Sequence, residues 1–193
     1  YKAVSDLITQ LGGNVVLIDY NKFDLSSPKS TRSQLEKFIK INKITKIILP
    51  GNYYNVSSEP FQPTQNRQLI TNAIAEIAYK HNIQILAICG GMQSFLHSIG
   101  VEITRIDNIL KDTQSIDSHI ISRPEPRSSK ANLHKIFIEE NSRLGRTISK
   151  YANRSKDGRI FIYVVDNHVE AVYSNSDNIR KLSELGYKIT AKS

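Results

Sequence analysis

The sequence predicts an α/β fold with a mixed, mostly parallel central sheet, and three observations carry that prediction. Helical and strand periodicities alternate along the chain, as they do where helices cover both faces of a sheet. An apolar run at 83–88 leads straight into Cys89-Gly90-Gly91 and then into a helical pattern, so that a strand feeds a helix through a tight turn. The 193 residues, 39% of them hydrophobic, suffice for one well-buried domain and are few for two. Residues 1–193 are therefore expected to form a single domain. Within it, 111–132 is expected to be a surface loop excursion, because Pro124, Pro126, Ser128 and Ser129 break any packing period.

The elements follow in order. Ala3, Val4, Leu7, Ile8 and Leu11 recur at helical spacing, and Gly12-Gly13 stops that helix. Residues 15–18 read as a buried strand. Ser30 or Thr31 is placed to cap a helix carrying Leu35, Phe38 and Ile39. A strand at 46–49 ends at Pro50-Gly51, and the Pro, Ser and Asn content of 52–64 makes it a loop. An amphipathic helix runs over 65–80 through Leu69, Ala73 and Ile77, followed by the buried strand at 83–88 and a helix at 91–99 that ends on Gly100. Beyond it, 134–138 and 159–165 read as strands, 179–185 as a short helix and 187–191 as an alternating strand. There is no internal repeat or low-complexity tract.

Composition excludes several function classes. One cysteine permits neither an intramolecular disulfide nor a cysteine-cluster metal site, and the expected location is cytoplasmic. No segment approaches the roughly 18 consecutive apolar residues of a membrane span, and the chain does not open on a basic region followed by an apolar run, so no membrane partner is expected. Asp107, Asp112 and Asp117 stand in a polar stretch without His or Cys, and neither a metal nor a cofactor is expected. The net charge of +8 is spread out, with ten Lys/Arg against six Asp/Glu in 1–100 and sixteen against twelve in 101–193. Its one cluster, Arg143, Arg146, Lys150, Arg154, Lys156 and Arg159, is opposed only by Asp157 and lacks an aromatic platform. Specific nucleic-acid binding is therefore not expected.

The chemistry concentrates at Cys89. A residue on a tight strand-to-helix turn is presented beside the free N–H groups of the incoming helix, where a thiolate and a developing oxyanion are both stabilised. Gly90 and Gly91 relieve the crowding such a turn creates. An isolated cysteine is often an inert, buried small hydrophobe, but the strand before it and the glycines after it favour a nucleophile. His81 and His97 fall on predicted helices without a ligand partner at i+4, His119 and His134 read as structural, and Met92 reads as a packed side chain.

Ala87-Ile-Cys-Gly-Gly-Met-Gln93 resembles the nucleophile motif of class I glutamine amidotransferases, usually Gly-x-Cys-x-Gly-x-Gln, and is most similar to the gamma-glutamyl-gamma-aminobutyrate hydrolase branch. Ile48-Leu49-Pro50-Gly51 resembles that family's strand-to-glycine loop. His134 with Asn141-Ser-Arg-Leu144, Asp166-Asn-His-Val-Glu-Ala-Val172 and Gly186-Tyr-Lys-Ile-Thr-Ala191 follow in the family's order.

The resemblance implies a flavodoxin-like, three-layer fold and cleavage of a gamma-glutamyl amide through a cysteine thioester. Cys89 would be the nucleophile, Gly51 and Gly90 would supply the oxyanion hole, and Gln93, Asn167 and His168 would bind the glutamyl group. The implied partner is a small gamma-glutamyl compound, with a homodimer left open. Departures from the family pattern are Ala87 for the motif's first Gly, Asn52 for the second Gly of Pro-Gly-Gly, and Val169 where a second His is usual. The family's base is a His in a C-terminal His-Pro-Glu element, and the chain is expected to lack that His-x-Glu element and the family's first strand. A catalytically degenerate binding or scaffold protein is the alternative this raises.

Overall fold

The computed structural model describes residues 2–52, 54–59, 65–110, 133–165 and 168–192. They fall into two compact units, Tyr1–Ile103 and Thr104–Ser193, each mixing helices with strands, so the fold is α/β. The proposed excursion at 111–132, with Asp112, Asp117 and His119, lies outside the described residues.

The first unit opens on α1, Lys2–Gln10. It ends as Gly12-Gly13 predicts: Gly12 adopts φ +81°, its N–H donates to the Thr9 carbonyl at 3.0 Å and the Gly13 N–H to the Ile8 carbonyl at 2.9 Å, a Schellman close. The helix buries none of its residues, and Leu7 and Leu11 are exposed. The strand expected at 15–18 does not form. Among the described residues this segment makes no ladder, and Leu17 is exposed while Ile18 packs on the core.

The helix α2, Pro28–Ile41, is capped by Ser27 rather than Ser30 or Thr31. The Ser27 hydroxyl accepts from the Ser30 N–H at 3.2 Å, and Pro28 takes the first helical position, where its missing N–H loses no bond. Next come β1, Lys46–Leu49; α3, Gln65–His81; β2, Gln84–Ala87; and α4, Gly90–Ser98. The two strands pair in parallel from Lys46↔Gln84 to Leu49↔Ala87, and the Ile88 N–H extends the ladder to the Leu49 carbonyl at 2.9 Å.

Leu35 and Ile39 of α2, Ile47 of β1, and Ile70, Ala73, Ile74 and Ile77 of α3 form the core of this unit. The second strand is not buried as predicted. Gln84, Leu86 and Ile88 are exposed and the residues between them half-buried, so one face of the pair is packed and the other open. Outside the core, Glu36 of α2 binds Lys80 at 2.7 Å and His81 Nε2 at 2.5 Å, both on α3. Those two bonds, Lys80 first, hold the Glu36 carboxyl down at about 2.

In the second unit, Thr104 and Arg105 belong to β3, Ile103–Arg105, which pairs with β7, Glu170–Val172. A short helix α5, Ile106–Ile109, follows β3. The larger sheet takes β4, Leu133–Ile138; β5, Asn153–Arg154; β6, Ile160–Val165; and β8, Ala191–Lys192, in the order β5-β6-β4-β8. All its pairs are antiparallel, with Leu133↔Val165 through Ile138↔Ile160 at its centre. The strand expected at 187–191 is confined to β8, although the Thr190 carbonyl accepts the Glu139 N–H at 2.8 Å. Among its described residues the unit also holds the α-helices α6, Arg143–Ile148, and α7, Ser176–Glu184, the latter capped by Asn175. Of the mostly parallel sheet that was expected, β1–β2 is a parallel pair, whereas the four-stranded sheet is antiparallel throughout.

The basic cluster is less free than its sequence suggests. Arg154 pairs with Glu140 as well as Arg159 with Asp157. The register also creates an aromatic face that the sequence does not advertise, pairing Phe137 with Phe161 beside Tyr163. Its ring faces are taken by the chain's own cations, Lys135 Nζ at 3.9 Å from the Phe161 centroid and the Arg159 guanidinium at 4.2 Å from that of Phe137.

Candidate active site

Cys89 stands at the N-cap of α4 with φ +51° and ψ −125°, and its thiol is free and exposed. The Gly91 N–H donates to the Ile88 carbonyl at 2.9 Å, which with those angles makes Cys89 the first central residue of a type II′ turn, a position that glycine dominates. Among the described residues only Lys43, Asn82 and Cys89 combine a side chain with positive φ, and the first two follow helix C-termini. A side chain in such a conformation costs on the order of 1–3 kcal/mol and persists where the surroundings impose it. Here the Ile88 N–H bond to Leu49, the turn bond from Gly91, and a bond of 3.0 Å from the Gln93 N–H to the Cys89 carbonyl bracket the residue on both sides.

The two glycines after Cys89 are needed for different reasons. A Cβ on Gly91 would lie 2.2 Å from the Leu49 carbonyl oxygen, so only glycine lets the start of α4 approach the end of β1. A Cβ on Gly90 would meet the Asn52 carboxamide at 2.7–2.9 Å. On the other side of the thiol, a Cβ on Gly51 would stand 3.3 Å from Cβ and 3.9 Å from Sγ of Cys89. The Gly51 main chain is thus against the nucleophile position. The Gly90 N–H, first in α4, makes no backbone hydrogen bond among the described residues.

The structure therefore brings Cys89, Gly51, Gly90 and Gln93 together in the first unit, with Gln93 buried on α4. Met92 is exposed rather than packed. His168 belongs to the second unit, and Asn167 lies outside the described residues. The chain does hold one His-x-Glu triplet, His168-Val169-Glu170, upstream of the place the family pattern gives that element. His168 Nδ1 lies 2.7 Å from the Glu170 main-chain carbonyl, an acceptor, so in the neutral ring Nδ1 carries the proton and Nε2 the lone pair.

Sequence reasoning registered Asn52 only as a departure from a pattern, and its contact with Gly90 was invisible at that level. Among the described residues no group of His, Cys, Asp and Glu is clustered as a metal ion requires, and no helix is long and apolar enough to cross a membrane. The sequence model of one family, described as Peptidase C26, matches residues 1–179. No curated protein matches the chain.

Proposed function

The chain belongs to the Peptidase C26 family, a class I glutamine amidotransferase-like family whose members are cysteine-type hydrolases or amidotransferase-like enzymes, and on that premise we propose that it cleaves a gamma-glutamyl amide through a thioester on Cys89. The observation that carries this reading is the thiol held at a glycine-type turn position, with the Gly51 main chain beside it and the Gly90 N–H without a backbone acceptor among the described residues.

The Cys89 thiolate adds to the side-chain carbonyl of the glutamyl group, and the carbonyl oxygen takes the negative charge against the Gly51 and Gly90 N–H groups. Collapse of that adduct breaks the C–N bond, the amine leaving with a proton. Water then adds to the thioester, and glutamate and the thiol are released. In this reading Gln93 binds the glutamyl group, a role that the family resemblance also gives to Asn167 and His168, and the second reactant is a small gamma-glutamyl compound. Residues 1–193 act as one amidotransferase-like domain of the flavodoxin-like type, in a cytosolic setting where thiols stay reduced.

The test is intact-mass analysis of the folded chain after exposure to 6-diazo-5-oxo-norleucine, with excess glutamine as competitor and Cys89→Ala as control. Single labelling at Cys89 that glutamine suppresses is the expected result. A folded chain that takes no label would turn the assignment to a scaffold that binds without turnover.

A further inference from the structure

We propose that the Asn52 carboxamide is a side-chain hydrogen-bond donor to the negative charge formed at Cys89, a third donor beside the main-chain N–H groups of Gly51 and Gly90. The inference rests on the reading of Cys89 as a nucleophile.

Asn52 Nδ2 is buried and has no hydrogen-bond partner among the described residues. The other end of the same carboxamide is fixed, since Oδ1 accepts the Tyr54 N–H at 2.9 Å, and that bond settles which end is the nitrogen. The group lies over the residue that follows the nucleophile, with Nδ2 at 2.9 Å from where a Gly90 Cβ would stand. It is carried by the residue next to Gly51, whose own main chain abuts Cys89.

A buried donor left unpaired opposes folding. The start of α4 offers this one no acceptor, because helix N-termini present N–H groups only. An anion at Cys89, whether thiolate or tetrahedral oxyanion, would be the missing acceptor. The bond would then form as charge develops and not before, the kind of interaction that lowers a barrier instead of merely tightening ground-state binding. The family pattern places Gly at this position and so has no side-chain donor there.

The experiment measures Cys89 alkylation by iodoacetamide across pH 5–10, and labelling by 6-diazo-5-oxo-norleucine, on the full chain. The variants are Asn52→Ala, which removes the whole carboxamide, and Asn52→Asp, which keeps an acceptor for the Tyr54 N–H and removes the donor. Both are expected to slow alkylation at pH 7 about tenfold. Labelling by the glutamine analogue should fall on the order of 10²-fold. Thermal unfolding of Asn52→Ala should stay close to wild type, since an orphaned donor is gone while the Tyr54 N–H loses its acceptor.

Wild-type reactivity in Asn52→Ala overturns the proposal whatever Asn52→Asp does. Slowing in Asn52→Ala with wild-type reactivity in Asn52→Asp also overturns it, because the anchoring of Tyr54 would then be the only role. The hydrolase reading fails separately, if wild type itself takes no label from the analogue. Enhanced alkylation that still depends on Asn52 would in that case leave the donor assignment standing without it.

Discussion

Replacing Gly91 by Ala tests whether the approach of α4 to the end of β1 builds the elbow. The new Cβ would stand 2.2 Å from the Leu49 oxygen and 2.7 Å from both the Leu49 carbonyl carbon and the Pro50 oxygen, where ordinary contact begins at 3.4 Å. The deficit is about 1.2 Å, 3.4 less 2.2, and every atom met is main chain, so no side-chain rotation relieves it. Overpacking typically costs about 1–3 kcal/mol, and a wholly main-chain clash belongs at the upper end. At about 3 kcal/mol the thermal midpoint falls by roughly 6–12 °C for a chain of this size. Relief must come from α4 sliding away from β1, which also parts Cys89 from Gly51, so labelling by the glutamine analogue should drop with stability. Gly12→Ala is the control: nothing lies within 4 Å of its Cβ, and its φ of +81° confines the cost to backbone strain. That cost is about 1 kcal/mol, with no effect on labelling. A Gly91→Ala protein that melts within about 2 °C of wild type and labels at the wild-type rate would refute the reasoning.

Three further outcomes follow from the first unit. Leu35 is fully buried among α3 side chains, and Leu35→Ala should lower unfolding free energy by about 2–5 kcal/mol in chemical denaturation. Lys43 holds φ +50° just past α2, where the Ile44 N–H closes the turn on the Ile39 carbonyl at 3.0 Å, so Lys43→Gly should raise stability by up to about 1 kcal/mol in the same assay. The Glu36 carboxyl is depressed from 4.5 to about 2, so its stabilisation is present above pH 4.5 and is lost as pH falls through about 2. Glu36→Gln should therefore melt below wild type at pH 6, and the gap should close between about pH 4.5 and pH 2.

What the sequence made legible was whatever local chemistry decides. The strand at 46–49 is observed as Lys46–Leu49, and Gly12 and Gly100 both end their helices at positive φ, because punctuation by glycine needs no distant partner. The elbow was legible for the same reason, since a strand, a turn residue and two glycines occupy one short stretch. Expectations failed where pairing decides. Among the described residues the apolar run at 15–18 satisfies strand composition yet joins no ladder, and the pattern at 187–191 keeps only Ala191 in a paired strand, because a strand exists through its neighbour. Thr31 looked like a cap because it is a threonine near a helix start, whereas it is fully buried with its hydroxyl donating to the Ser27 carbonyl at 2.9 Å. At the site, the contact of Asn52 with Gly90 joins residues far apart in the chain, and no spacing rule could have supplied it.

The conformation of Cys89 carries an argument of its own. Its φ of +51° and ψ of −125° suit glycine, and three main-chain bonds, Ile88 to Leu49, Gly91 to Ile88 and Gln93 to Cys89, hold it there whatever side chain it bears. Because the thiol is exposed, replacing it by a methyl group forfeits little packing and leaves the strain in place, so Cys89→Ala should melt close to wild type. Cys89→Gly removes the strain, and after the larger backbone entropy of glycine is set against that gain it should be more stable by about 1 kcal/mol. Chemical denaturation of the three proteins decides the matter: a Cys89→Gly protein less stable than Cys89→Ala would mean that the turn stores no strain. The expected order means that the backbone at this point is better served without a side chain. What accompanies the strain is a thiol at the N-cap of α4 with the Gly51 main chain against its residue, and the proposed reactivity of that sulfur would give the strained geometry its reason.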